Sequence, residues 1–310
     1  MSARAGVLVV VAACSGGGGS QGDDMQPMPD ATDAPMIDAP PACTPLGPCE
    51  WLDSYQRHIV AVLAGTEEVS PGVKLMHRAS VGERNVARQF LLDAFTALGM
   101  TPQRHDYTTT MFVGANVLAT LEPTGANAGT LIVGAHFDGV AAGPAAADNA
   151  TGVAIVLATA RYLKDVQPRE HRIVFALFDQ EELGLVGSRE YVKTLPTAGV
   201  TQVHIFDMVS FDGDGDHAVE LWSPSPALQT IYEQHGATAG MPISAVPFDS
   251  SDHQAFLEGG FPTVGVSEEF VGGDHTPNYH KSTDTYDNVQ FDHLERVTHL
   301  AFHVLDAEVH

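Results

Sequence analysis

Two adjacent carboxylates, Glu181 and Glu182, follow closely on the run Ile173 to Phe178. The run is continuous, apolar and rich in β-branched and aromatic residues, the pattern of a strand covered on both faces. Open α/β sheets place their ligand sites just beyond the carboxyl ends of such strands. There one acid can hold a metal ion while its neighbour handles a proton. Alone, the pair would serve equally well as the acidic first turn of a helix. Other polar groups stand in similar places. His136 and Asp138 close the apolar run 130–135, Asp148 opens the next helical stretch, Asp207 follows His204-Ile205-Phe206, and His280 lies in a C-terminal loop between Tyr279 and Asp284. His136, Asp148, Glu182, Asp207 and His280 are imidazoles and carboxylates without a thiolate, a set that suits zinc or another first-row divalent ion. Five ligands are too many for one open tetrahedral site. They suit two ions if one carboxylate bridges, and a pair of ions can activate a water and clamp a tetrahedral intermediate.

The elements that must position these groups follow from periodicity. Helical spacing runs through 51–63. Ser80 and Glu83 have capping-box spacing ahead of Val86, Phe90, Leu91, Phe95 and Leu98, and Gly99 ends that helix. Residues 103–110 and 113–121 alternate enough to be antiparallel strands. Strands are predicted at 130–135, 172–178, 203–210, 218–222 and 263–266. Helices are predicted at 151–163, 183–195, 225–236, 252–257 and 292–306. Strands alternating with helices indicate a three-layer α/β/α sandwich around a mixed, largely parallel sheet.

The formal net charge of −24, from 15 basic and 39 acidic residues, excludes nucleic acid and anionic membrane surfaces as charge-driven partners. Residues 1–13 carry Arg4 and the apolar run Val7 to Val11, the pattern of a short secretory signal too short to span a bilayer. Val11-Ala12-Ala13-Cys14 resembles a bacterial lipobox, with Cys14 as the lipidated first mature residue. Residues 14–49 read as a tether rich in Gly and Ser, then in Asp and Pro. With Cys14 acylated, Cys43 and Cys49 remain as a pair, and an exported protein favours a small-loop disulfide between them. Residues 50–310 then form a single catalytic domain. The expected location is outside the cytoplasm, lipid-anchored or secreted.

Taken in order, Gly134-Ala135-His136-Phe137-Asp138, Asp148-Asn149-Ala150-Thr151-Gly152, Phe178-Asp179-Gln180-Glu181-Glu182-Leu183-Gly184, Asp207-Met208, Ser251-Asp252-His253 and Tyr279-His280-Lys281-Ser282-Thr283-Asp284 resemble the di-zinc aminopeptidase family of bacterial leucyl-type aminopeptidases. Its relatives include glutamate carboxypeptidase and glutaminyl cyclase. The resemblance runs from about Asn85 to the C-terminus. It implies two Zn2+, with Asp148 bridging them, His136 and Asp207 completing one site, and Glu182 and His280 the other. It implies Glu181 as general base, Tyr279 as oxyanion donor, Asp138 orienting His136, Asp284 doing the same for His280, and a cis peptide after Asp148. Phe137, Gly139 and Ala147 stand where the family usually has Tyr, Ser and a second Asp; none is a ligand.

The implied activity is that of a monomeric metalloaminopeptidase acting on peptides with a free N-terminus. Glu181 and Asp207 are the candidate partners of the α-amine, beside an apolar pocket. The rivals are a single-zinc glutaminyl cyclase or a carboxypeptidase of the same fold, and a non-catalytic surface binding module. His275 is the alternative ligand to His280, but only His280 has the preceding Tyr and the Asp four residues later. His253 reads as structural. Asp212-Gly213-Asp214-Gly215-Asp216 looks like the start of a calcium loop without its downstream Glu, so an acidic turn is predicted. Phe248, Phe256, Phe261 and Phe270 are either pocket or core.

Overall fold

The computed structural model describes residues 43–310. The signal, Cys14 and most of the tether lie outside the described residues. Apolar β-branched runs form the centre of an eight-stranded sheet, β1 (Gln103–Thr108), β2 (Val113–Leu121), β3 (Gly129–His136), β4 (His171–Phe178), β5 (Val200–Phe206), β6 (Val219–Trp222), β7 (Ile243–Val246) and β8 (Thr263–Ser267). Their order is β1-β2-β4-β3-β5-β8-β6-β7. The central strands β4, β3, β5 and β8 run parallel, while β1, β2 and β4 pair antiparallel, as do β6 and β8.

Alternation along the central strands decides which helices cover which face. Leu131, Val133, Ile173 and Phe175 are buried with residues of α1 (Leu52–Leu63), α2 (Val81–Ala97), α3 (Thr151–Leu163) and α7 (Phe291–Glu308). Ile132, Val174, Phe178 and Ile205 are buried on the other side with Tyr191 of α4 (Val186–Val192) and Phe256 of α6 (His253–Glu258). The predicted α/β/α sandwich is therefore the fold. The remaining helix, α5 (Pro226–Ala239), joins the first of these layers through Leu228 and Tyr232.

Cys43 and Cys49 form the disulfide that the sequence suggested. Cys49 is buried with Leu52, Ala158 and Phe302, so the small loop packs on the body just N-terminal of the limit at Glu50.

Register sets the site. His136, the last residue of β3, pairs with Phe178, the last of β4, and Gly134 pairs with Ile205 near the end of β5. The polar residues after these strands emerge together at the carboxyl ends of the central strands.

Three local predictions differ from the structure. Strand β5 stops at Phe206, not Ser210, because Met208 turns left-handed (φ 52°). Asp207 is thus in a loop. The helix predicted at 183–195 begins only at Val186, since Gly184 (φ 103°) and Leu185 (φ 60°) break the chain after a single turn at Glu181–Leu183. Strand β7 was not predicted: it is four residues long, mostly half-buried and flanked by Pro242 and Pro247, so its apolar signal is short.

Candidate active site

The five expected ligand residues converge into two groups that share Asp148. His136, Asp148 and Asp207 form one group, and Asp148, Glu182 and His280 the other, with the ligand atoms of each group within 4.8 Å of one another. His136 Nε2 stands 3.2 Å from Asp148 Oδ1 and 3.4 Å from Asp207 Oδ1. His280 Nε2 stands 3.2 Å from Asp148 Oδ2 and 3.0 Å from Glu182 Oε2. Each oxygen of Asp148 therefore faces a different imidazole, the disposition a bridging carboxylate needs.

The backbone around these groups is unusual. Ala145, Gln180, Met208 and His280 all have positive φ (59°, 65°, 52° and 55°) although none is glycine. Such conformations cost about 1–3 kcal/mol each and cluster where the surroundings over-determine them. Here each lies in, beside or just before a residue of the two groups. The Asp148–Asn149 peptide is cis, as the resemblance implied. Asn149 pins this segment: Nδ2 donates to Phe206 O at 2.9 Å, and Oδ1 accepts from Gly152 N at 2.9 Å. A Cβ on Gly152 would sit 2.4 Å from Phe206 O, so only glycine lets α3 start this close to β5.

Two supporting acids differ from their expected tasks. Asp138 Oδ1 is 3.5 Å from His136 Nδ1, at the limit of a hydrogen bond. Its better contacts accept from the backbone N–H groups of Glu181 (3.0 Å) and Glu182 (3.2 Å), so it fixes the glutamate turn. Asp284 does not orient His280. It accepts from Ala147 N at 2.7 Å and Asp148 N at 3.1 Å and so seats the Asp148 segment. Ser251 donates to Asp207 Oδ2 at 2.6 Å, leaving Oδ1 toward His136.

The charges favour a cation. Burial alone would raise Asp148, but His136 and His280 hold it below the usual carboxylate range. Asp148 and Glu182 push His280 up to about 10. Burial opposes a charge on His136, yet Asp207 and Glu181 push its pKa well above 6.5. Burial, then Asp252 and Asp207, raise Glu181 well above the carboxylate range against the pull of His136. The crowded acids thus favour positive charge at both imidazoles, and a divalent ion held there would supply that charge in place of protons. Among the described residues, Glu182 Oε1 and Asp207 Oδ1 are buried without a hydrogen-bond partner, as ligand atoms awaiting an ion would be. The residues present thus fit divalent metal on donor chemistry and on unsatisfied oxygens.

Tyr279 stacks on His280 with ring centroids 3.9 Å apart, and burial followed by Asp148 and Glu182 raises its phenol, which keeps it a donor. Phe270 meets Tyr279 edge-on at 5.1 Å and Phe248 at 5.5 Å, and Phe248 lies 4.2 Å from Trp222. Phe256 and Phe261 instead belong to the core. His253 is structural, its Nε2 bonded to Phe248 O at 2.9 Å. His275 belongs to neither ligand group and packs on Phe270 at 4.8 Å.

The sequence model of peptidase family M28 matches residues 116–305, more than half of the chain. The chain belongs to peptidase family M28. The probable lipoprotein aminopeptidase LpqL of Mycobacterium tuberculosis is 31% identical over 224 residues, covering 62% of this chain and 45% of that protein. A zinc aminopeptidase from Bacillus subtilis superposes with a TM-score of 0.60 at 25% identity, covering 64% of this chain and 51% of that one. A glutaminyl cyclase from Porphyromonas gingivalis shares the fold, with a TM-score of 0.67 at 18% identity over 83% of this chain and 98% of that one. The chain spans about half the length of the curated relatives it matches.

Sequence reading missed three supports of this M28 site. Arg78 is 0% exposed and donates to Phe137 O, Leu63 O, Pro144 O and Ala145 O. It braces the segments that lead into Asp138 and Asp148. Arg84 and Arg88 of α2 bind the buried Asp179 that directly follows β4, Arg84 at 2.7 Å. No spacing rule links an arginine to a turn about sixty residues later. Asp179 alone carried a signal, as the polar residue placed directly at the end of the apolar run.

Proposed function

We propose that the protein is an exported zinc aminopeptidase whose centre holds two ions bridged by Asp148. The observation that carries this reading is the split of Asp148, whose two oxygens each stand 3.2 Å from a different imidazole, His136 or His280. His136 and Asp207 would complete one site, Glu182 and His280 the other. Bound there, the ions would supply Lewis acidity and lower the pKa of an attacking water. Glu181 accepts the proton of that water and passes it to the leaving amine. Tyr279, kept protonated, donates to the oxyanion. Asp138 holds both glutamates in place through their backbone N–H groups. The free α-amine pairs with Glu181 or Asp207, and the apolar side chain lies against the aromatic group of Phe248, Phe270 and Tyr279. The similarity to aminopeptidases in sequence and to a zinc aminopeptidase in fold supports this substrate class.

A glutaminyl cyclase needs one zinc, and two complete ligand groups favour the two-ion reading over it. The zinc-loaded protein should cleave aminoacyl p-nitroanilides with apolar side chains and leave their N-acetylated forms intact, at least about a hundredfold slower. Equal rates on free and blocked substrates, or cyclisation of N-terminal Gln in place of hydrolysis, would reject the proposal.

The domain at 50–310 would be held to a membrane by a lipid on Cys14, consistent with the lipoprotein named among its relatives. Cys14→Ser should move the enzyme from the membrane fraction to the soluble one with its kcat unchanged. Unaltered fractionation would mean that Cys14 carries no anchor.

A further inference from the structure

The loop after β5 begins at Asp207 and turns back through Asp212-Gly213-Asp214-Gly215-Asp216-His217. It crowds acids, and acids alone commonly form a solvated turn. One neighbour does not fit that explanation. His293, in the first turn of α7, is 3% exposed, and neither of its ring nitrogens has a hydrogen-bond partner among the described residues. An unpaired buried polar group costs about 1–3 kcal/mol. Its Nδ1 is directed at the turn, 3.8 Å from Asp212 Oδ2, and His217 Nδ1 lies 2.6 Å from the same oxygen. The ligand atoms of Asp212, His217 and His293 lie within 4.8 Å of one another.

We propose that Asp212, His217 and His293 form a further divalent-metal site, of the zinc type, that fastens together the loops leading from Asp207 and to His280. Two imidazoles and one carboxylate are a borderline donor set, suited to zinc rather than to calcium. The turn is built to present them. Asp212 Oδ1 is used up as acceptor for Gly215 N at 2.9 Å and His217 N, which leaves Oδ2 to the imidazoles. His217 takes a left-handed backbone, φ 64°, at the close of the turn. Both ring nitrogens of His293 are buried with no hydrogen-bond partner among the described residues, so no protein donor or acceptor competes with an ion for them.

The position gives the ion a structural task. Asp212 N donates to Gln290 Oε1 at 3.1 Å, which ties the turn to the start of α7. Asp274 Oδ2 accepts from Gly213 N at 2.7 Å, which ties it to the loop that ends in Tyr279 and His280. An ion on Asp212 and His293 therefore stiffens both segments that deliver ligands to the centre. The metal site itself does not depend on the aminopeptidase reading; only its consequence for the catalytic loops does.

The test counts ions. The full chain, stripped with chelator and dialysed against zinc, is analysed by elemental mass spectrometry as wild type, His293→Leu and His217→Asn. Asn is chosen at 217 because it tolerates a left-handed backbone. Each variant should hold one zinc fewer than wild type, and zinc should raise its unfolding temperature less. The difference of one ion is read whatever number the catalytic centre itself retains. Because His217 is on the surface turn, His217→Asn carries the test if His293→Leu does not fold. Equal zinc in the wild type and in His217→Asn would overturn the proposal. So would an extra ion that proves to be calcium and is indifferent to both histidines.

Discussion

Glu181→Gln is expected to keep its fold and its metal and to lose nearly all of kcat. The carboxylate is 9% exposed and anchored from behind: Asp138 fixes its backbone N–H, and the preceding Gln180 is held by a 2.9 Å hydrogen bond from Tyr107. Gln fits the same space and removes only the basicity. Burial and the neighbouring acids already hold the Glu181 proton affinity high, as a base needs. Losing a general base costs about 10²- to 10⁴-fold. Inhibitors that ligate metal should still bind. In the wild type, activity should fall as pH drops and the base takes a proton. That acidic limb should be absent from the residual activity of the variant. If Glu181→Gln keeps more than about a tenth of kcat, a change of about 1.4 kcal/mol, another group is the base.

The second large effect is expected at a residue that touches no substrate. Arg78→Met should destabilise the protein by about 3–5 kcal/mol, the usual consequence of removing one partner from a buried charged network. Four carbonyls, those of Leu63, Phe137, Pro144 and Ala145, would lose their donor. Asp284 and then Asp138, the acids that act most strongly on the buried guanidinium, would lose its positive charge. Arg78→Lys should recover little, because an ammonium cannot reproduce a planar fork that serves four acceptors. Urea unfolding with the metal content held constant measures both variants. A shift in Arg78→Met below about 1 kcal/mol would mean that the network is slack.

The contrast between these two residues marks what sequence conveys. Glu181 and Glu182 were legible because an apolar strand run ended abruptly in acids, and strand ends in such sheets are where ligands sit. Helix α3 was found to the residue, since the apolar run Val153 to Ala158 and the apolar positions beyond it mark a buried helix. His136, Asp148 and Asp207 could be named from short motifs within a few residues of a strand or helix end, and His280 from the Tyr279 before it and the Asp284 four residues later. Contacts that join distant segments left no periodic trace. Arg78 acts on carbonyls about sixty residues away, and Asp284 reaches back to Asp148 rather than to the adjacent His280. Asp207 was placed inside a strand because Val203 to Ser210 is mostly apolar; the left-handed Met208 that ends it is set by its surroundings.

His293 is the same kind of case. On the sequence it is one polar residue in an amphipathic helix, and only its burial beside Asp212 separates it from a surface histidine.

Anomalous diffraction at the zinc edge from zinc-loaded crystals tests the two-ion centre most directly. Two peaks are expected at the end of β3, one on each side of the Asp148 carboxylate, the first among His136 and Asp207 and the second among Glu182 and His280. A single peak there at full zinc loading would contradict a bridging Asp148 and a two-ion mechanism.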